Sequence, residues 1–244
     1  MPKNIIMFLV GLLLSTGLVY NANNIHHIYT NTSEIINSDA SIFEKSIDYE
    51  TNNLELDIKI PIVRGLKNKK IEQNLNRKIR KDILHFKKEI EDKANKDIYS
   101  NIHYETVTSY EVPFQSDNII SITILFYEYT GGNHGVSKKA AYNFDLNTGE
   151  EITLKSIFID GIGYKEIINN EIEKQISQCK DTSFFTGEDG FTGIHYDQAF
   201  YFKDDSIIIY FELYDIAPYS SGIPEFKIPL RLLKDIILPE YLAV

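Results

Sequence analysis

Two kinds of residue cluster in this 244-residue chain could do chemistry: a glycine-histidine loop and scattered acidic pairs. The loop is YTGGNHG, Tyr129 to Gly135, after the strand-like run IISITILFYE. A phosphate cradle needs Lys and Ser or Thr at fixed places after its glycines, with a helix behind them. Here Val136, Ser137, Lys138 and Lys139 follow and lead into another strand-like run, which excludes that chemistry. His134 as a metal ligand needs partners, yet His26, His27, His85, His103 and His195 form no HExxH or comparable spacing. There is no GxSxG elbow. The expectation is therefore a structural turn made by Gly131, Gly132, His134 and Gly135, in which the glycines supply positive φ and the imidazole bonds within the turn. The residues call for no metal and no cofactor.

Asp204–Asp205 falls in a predicted hairpin turn, where acids bond their own backbone. Glu212 and Asp215, with Glu225 further on, lie near strand ends. Glycan hydrolysis would need two such carboxyls about 5 to 9.5 Å apart, a separation that spacing alone does not fix. A cell-wall hydrolase is the alternative reading; the leading one assigns no catalytic residue.

Two loops carry residue types suited to binding rather than catalysis. Ser183 to Phe200 holds Phe184, Phe185, Phe191, His195, Tyr196 and Phe200 among Gly and Asp. Its aromatics, Phe191 and Tyr196 in particular, either anchor a partner or tuck under and seal the core. The stretch YDIAPYSSGIPEFKIPL combines Tyr214, Pro218, Tyr219, Ser220, Ile223 and Pro224. A rigid Pro/Gly loop bearing Tyr offers large contact area at small entropic cost, so these six are the principal ligand-binding candidates.

These loops need elements to hold them. LELDIKIPIV alternates Leu54, Leu56, Ile58 and Ile60 against charged residues, a half-buried strand beginning near Tyr49. A long amphipathic helix follows, capped by Asn68, with Ile71, Leu75, Ile79, Ile83, Phe86 and Ile90 on one face. IHYETVTSYEVPF and NIISITILFYEYT form a strand pair around QSDN, and KKAAYNFDL with EITLKSIF a second hairpin around Asn147-Thr148-Gly149. A helix from Tyr164 to about Lys180 carries Ile168, Ile172, Ile176 and Cys179 on one face, which makes the single cysteine a small core residue. A hairpin at Lys203-Asp204-Asp205 and the strand-like EFKIPL close the chain. The fold class is α+β: two small subdomains of antiparallel sheet, each with a packed amphipathic helix.

Net charge is −10, which disfavours nucleic acid and favours basic partners. A lone Lys3 precedes the apolar run Ile5 to Tyr20, the pattern of a signal peptide or short membrane anchor that places the rest outside the membrane. The expected plan is residues 1–20 as that segment, 21–44 as a polar tether, 45–135 as the first subdomain and 136–238 as the second.

TGGNHG, then YNFDLNTGEEITLKSIF, then FYFKDDSIIIYFELYDIAPYSSGIPEFKIP together resemble the extracytoplasmic region shared by lysozyme-sensing anti-sigma factors of the RsiV kind and membrane-anchored peptidoglycan deacetylases of the PdaC kind. The resemblance spans roughly Tyr49 to Asp235 and implies two subdomains and a lysozyme-binding role. Only Met1 to Asn4 precede the apolar run and the chain stops at Val244, so neither a sigma-binding segment nor a deacetylase domain is expected. The resulting expectation is an exported, non-catalytic envelope protein, secreted or held to the membrane by its amino-terminal segment. Its partner is lysozyme or a cell-wall glycan; a structural protein that packs against another envelope protein is the second alternative beside the hydrolase.

Overall fold

The computed structural model describes residues 40–97 and 101–242. The amino-terminal segment, His26, His27 and most of the expected tether lie outside the described residues. Two sheets form. Strands β1 (Ser41–Glu50), β2 (Leu54–Arg64), β3 (Tyr104–Gln115), β4 (Ile119–Tyr129) and β5 (Val136–Asp145) make a five-stranded sheet in that order. Strands β6 (Phe200–Lys203), β7 (Ser206–Tyr210) and β8 (Glu225–Pro229) make a three-stranded antiparallel sheet.

Helix α1 (Lys69–Lys96) lies between β2 and β3, and its residues Ile71, Leu75, Ile79, Ile83 and Ile90 are all buried against the first sheet. The Asn68 side chain accepts hydrogen bonds from the amides of Lys70 (3.0 Å) and Ile71 (3.4 Å), satisfying two of the four open donors of the first turn. Because this long crossover returns the chain to the same end of the sheet, β2 and β3 pair in parallel. The α+β class stands, but the first sheet is mixed rather than wholly antiparallel.

Three expectations change at the element level. Residues 41–44, assigned to the tether, begin β1, which pairs with β2 from Ser41↔Arg64 to Glu50↔Glu55. The boundary placed at 135/136 precedes β5, yet β5 is hydrogen-bonded along β4 from Ile119↔Asp145 to Glu128↔Val136. The first sheet therefore runs on to Asp145. The second hairpin shrinks to one bridge, Phe144↔Glu151, after which EITLKSIF turns into a short 3-10 helix at Lys155–Ile157.

Helix α2 (Tyr164–Gln178) buries Ile168 and Ile172 completely in the second core, beside Phe200, Phe202, Ile207, Ile209, Phe226 and Ile228. Cys179 is not on that face: it is exposed just past the helix end, and hydrogen bonds from the Thr182 side chain and from nearby backbone lower its thiol pKa. The helix stops one residue short of burying it, since Cys179 is already extended at φ −74, ψ 124.

Strand β6 packs on the far face of the first sheet through a buried polar clasp. Ser121 Oγ donates to Asn143 Oδ1 (2.6 Å) and accepts from the Phe202 amide (3.1 Å), while Asn143 Nδ2 donates to the Phe200 carbonyl (2.8 Å). Ser121 and Asn143 face each other across β4 and β5 and are 0% and 3% exposed, so each polar group lost there would leave an unpaired partner out of reach of water.

Candidate functional site

The glycine-histidine loop and the Pro/Gly loop, some eighty residues apart in sequence, meet in space. Tyr129–Gly135 joins β4 to β5 within one sheet, so it does not turn the chain between subdomains. Gly131 and Gly132 hold φ of +98° and +97°, which side chains rarely adopt, and the Tyr129 hydroxyl donates to the Gly132 carbonyl (3.0 Å). Gly135 leaves no room for a side chain unless Tyr127 moves: a Cβ there would lie 2.4–2.5 Å from the Tyr127 ring and hydroxyl. His134 Nδ1 donates to the Gly135 carbonyl (2.9 Å). The same carbonyl accepts the Tyr219 hydroxyl (2.9 Å), and the Tyr219 ring stacks on the imidazole with centroids 4.0 Å apart and planes 24° apart. His134 thus serves as a platform for a residue of the second unit.

The loop that brings Tyr219 there leaves β7 at Tyr210. The Glu212 amide donates to the Asp215 carboxylate (2.9 Å) and the Asp215 amide to the Glu212 carbonyl (3.2 Å), closing a tight turn in which Tyr214 takes φ +69°. Buried Ile216 and Ala217 pin the middle, and the Phe185 amide donates to the Ile216 carbonyl (2.9 Å), which sets the Ser183–Phe200 loop alongside. A 3-10 turn at Tyr219–Ser221 ends on Gly222 at φ +71°. Tyr214 is 55% exposed and 6.0 Å from the Tyr219 ring, Ser220 is exposed, and Pro218, Tyr219 and Ile223 are half-buried. Pro224 is buried, with its carbonyl accepting the Phe211 amide (3.0 Å). Five of the six residues in this loop therefore reach the surface, and Pro224 belongs to the strand junction.

Below the loop runs a groove of about 500 Å³. Its floor is the face of the first sheet opposite α1: Ser109 and Glu111 of β3, Thr123 and Leu125 of β4, Ser137 and Lys139 of β5. Its wall is Leu213, Tyr219, Ser220, Gly222 and Ile223.

The other two candidates lie elsewhere. Phe191 packs into the second core, edge-on to Phe211 at 5.7 Å, as Phe184 does beside Phe226, so this part of the Ser183–Phe200 loop seals the core. Tyr196 points out at 60% exposure, with the ammonium groups of Lys155 and Lys165 at 5.1 and 5.2 Å from its ring centre, and it lines a separate depression with Gln198 and Tyr210.

Among the carboxylates, Glu225 accepts from the Tyr201 hydroxyl (3.0 Å) and pairs with Lys139, and Asp215 is committed to its turn. Burial pushes the Glu212 carboxyl up, against the opposing charge of Lys138. Among the described residues, no group of three or more His, Cys, Asp or Glu side chains could hold a metal, and no helix is long and apolar enough to cross a membrane.

With this geometry, the chain matches two family models in succession. Residues 47–137 match the family described as deacetylase PdaC, and residues 155–231 match a protein family of unknown function, DUF3298. It is 28% identical over 201 residues to the anti-sigma-V factor RsiV of Bacillus subtilis, covering 80% of this chain and 69% of that one. It is 25% identical over 180 residues to the peptidoglycan-N-acetylmuramic acid deacetylase PdaC of the same organism, where it covers 72% of this chain but spans only 38% of the deacetylase. An esterase of Mycobacterium tuberculosis is 28% identical over 112 residues, 45% of this chain and 48% of the esterase. A solved DUF3298 family member from Bacteroides fragilis shares the fold with TM-score 0.57 at 20% identity, over 88% of this chain and 95% of that one. Another from Pseudomonas aeruginosa gives 0.56 at 14%, over 89% and 94%. The RsiV-like and PdaC-like resemblance read from the three motifs holds, and it supports a cell-envelope domain.

Proposed function

We propose that the chain is an extracytoplasmic, non-catalytic binding module of the cell envelope whose partner is lysozyme, engaged through the Tyr214–Ile223 loop. The observation that carries this reading is the preparation of that loop. Tyr214 stands out from a turn locked by Asp215, beside a Tyr219 already held by a stack and a hydrogen bond. Side chains ordered before binding lose little freedom on contact, and exposed tyrosine is among the residues that dominate interfaces. The net charge of −10 suits a strongly basic protein partner and speeds encounter with it. The likeness to RsiV over most of both chains supports the choice of partner. Hydrolysis fits less well: Glu212 has a raised pKa suited to a general acid, but Asp215 is held in its turn and Glu225 is neutralised by Lys139.

Calorimetric titration of the full chain with a C-type lysozyme tests this. The expected result is saturable one-to-one binding at moderate salt, weakened tenfold or more by Tyr214→Ala and by Tyr219→Ala. No saturation, or a signal erased by salt alone, sinks the proposal.

A further inference from the structure

The groove beneath the loop has a lining unlike the rest of the surface it belongs to. On the same face, the outward positions of β2 are Glu55, Asp57 and Lys59, the charged set expected where a sheet meets water. Across β3, β4 and β5 the outward positions that line the groove are Ser109, Glu111, Thr123, Leu125, Ser137 and Lys139. Ser109, Leu125 and Lys139 form one cross-strand row, and Tyr127 and Ser137 sit opposite each other in the next. Hydroxyls thus flank an apolar centre line of Leu125, with Tyr219 and Ile223 facing it from the loop wall. Of the two charged residues, Lys139 is paired with Glu225, whereas Glu111 makes no ion pair within 4 Å among the described residues. The uncompensated charge of the groove is therefore negative.

Each part of this lining restricts the ligand. A free carboxylate with no available cation disfavours anionic polymers. A lipid or an apolar peptide face would strand the hydroxyls without partners. An extended peptide adding to the sheet at β5 meets an occupied edge, because the Lys139 carbonyl accepts the Tyr210 hydroxyl (3.2 Å) and the Lys139 amide is bonded to Glu212. What fits is a molecule with apolar ring faces, hydroxyl edges and an N–H donor for Glu111. Pockets of a few hundred Å³ hold small ligands by such a mixture of apolar area and few placed polar groups.

We infer that this groove binds a short uncharged oligosaccharide of acetamido sugars. The sugar rings lie along Leu125 between Tyr219 and Ile223, an acetamide N–H donates to Glu111, and ring hydroxyls meet Ser109, Ser137 and Ser220. This rests on reading the Tyr214–Ile223 loop as a ligand-binding element and gives its two sides different work: Tyr214 outward to a protein, Tyr219 and Ile223 inward to a glycan.

The test is titration of the full chain with chitotetraose, with cellotetraose and an extended acidic peptide as comparison arms. Chitotetraose should saturate, cellotetraose should bind at least tenfold more weakly, and the peptide should not bind. Ser109→Arg, an exposed position, and Leu125→Arg should each weaken chitotetraose at least tenfold; the unfolding midpoint of each variant shows whether the fold is kept. Lysozyme binding should survive Ser109→Arg. Absence of saturable sugar binding, unchanged affinity in a folded Ser109→Arg protein, or binding of the peptide in place of the sugar overturns the inference. If lysozyme fails to bind while chitotetraose does so at these residues, the groove stands and the protein partner falls. The reverse result removes the groove alone.

Discussion

Two aromatic loops of the second unit lie side by side, bonded through Phe185 and Ile216, and they use their rings in opposite ways. In Ser183–Phe200, Phe184 and Phe191 turn inward onto Phe226 and Phe211. In Tyr214–Pro224, the residues turned inward are Ile216, Ala217 and Pro224, none of them aromatic, while Tyr214 faces solvent and Tyr219 leans across onto His134 of the first unit. A ring without a polar atom gains most by leaving water altogether, whereas a tyrosine can cover apolar area and still place its hydroxyl on a carbonyl, as Tyr219 does at Gly135. Aromatic content is thus a poor guide to binding; what separates the loops is phenylalanine against tyrosine and the partner each ring finds.

Substitutions can break that contrast. The largest effect on stability is expected from Phe191→Ala: the ring is half-buried against the core, so the loss should be about 2–3 kcal/mol, short of the 3–5 typical of a fully buried Phe. Urea unfolding reads this directly, and lysozyme affinity per folded molecule should be unchanged. Tyr219→Phe keeps the stack on His134 and removes only the bond to Gly135, costing about 1 kcal/mol and loosening the loop enough to weaken binding a few-fold. At the base of the same loop, Glu212 gives a pH signature. Because burial raises its pKa in the folded protein, the folded state holds this proton more tightly than the unfolded one. Its contribution is most favourable below the ordinary value of 4.5 and is lost as pH rises through the raised value. Glu212→Gln should flatten that part of the stability profile and change neutral-pH stability by under about 1 kcal/mol. The smallest stability change, within about 0.5 kcal/mol, belongs to Tyr214→Ala, the residue whose loss should weaken lysozyme binding most. Were Tyr214→Ala to unfold the protein, or Phe191→Ala to abolish binding in molecules that remain folded, the division between the loops would collapse.

How far the chain could be read in advance follows from the range of the forces. Helix α1 was legible because its inward residues repeat every three to four positions and Asn68 caps it locally. The turn at Asp204 and Asp205 was legible for the same reason, as a local preference, and Asp204 does take φ +50°. Strand β1 was not. Its buried positions, Ile42 and Ser46, stand beside half-buried Phe43 and Ile47, so no period of two survives, just as β2 shifts its buried set between Ile60 and Val63 at Pro61. The parallel pairing of β2 and β3 leaves no mark on either strand's alternation. At the site, the two loops were each conspicuous by composition, but the stack of Tyr219 on His134 joins residues 85 apart, and no local pattern encodes that meeting. Cys179 was misplaced because helical spacing continues through it while the helix does not.

The Ser121–Asn143 clasp bears on how this protein can be dissected. The two family matches end at 137 and begin at 155, which invites a cut between them, yet Asn143 lies in the gap on β5. A fragment stopping at 137 would strip the edge strand from β4, and one starting at 155 would leave the Phe200 carbonyl and Phe202 amide facing nothing. The natural seams of the chain, as families divide it, are therefore not seams of the folded molecule: whoever wishes to study half of it must leave β5 with the first half, and expect the second to expose a raw face where β6 was moored.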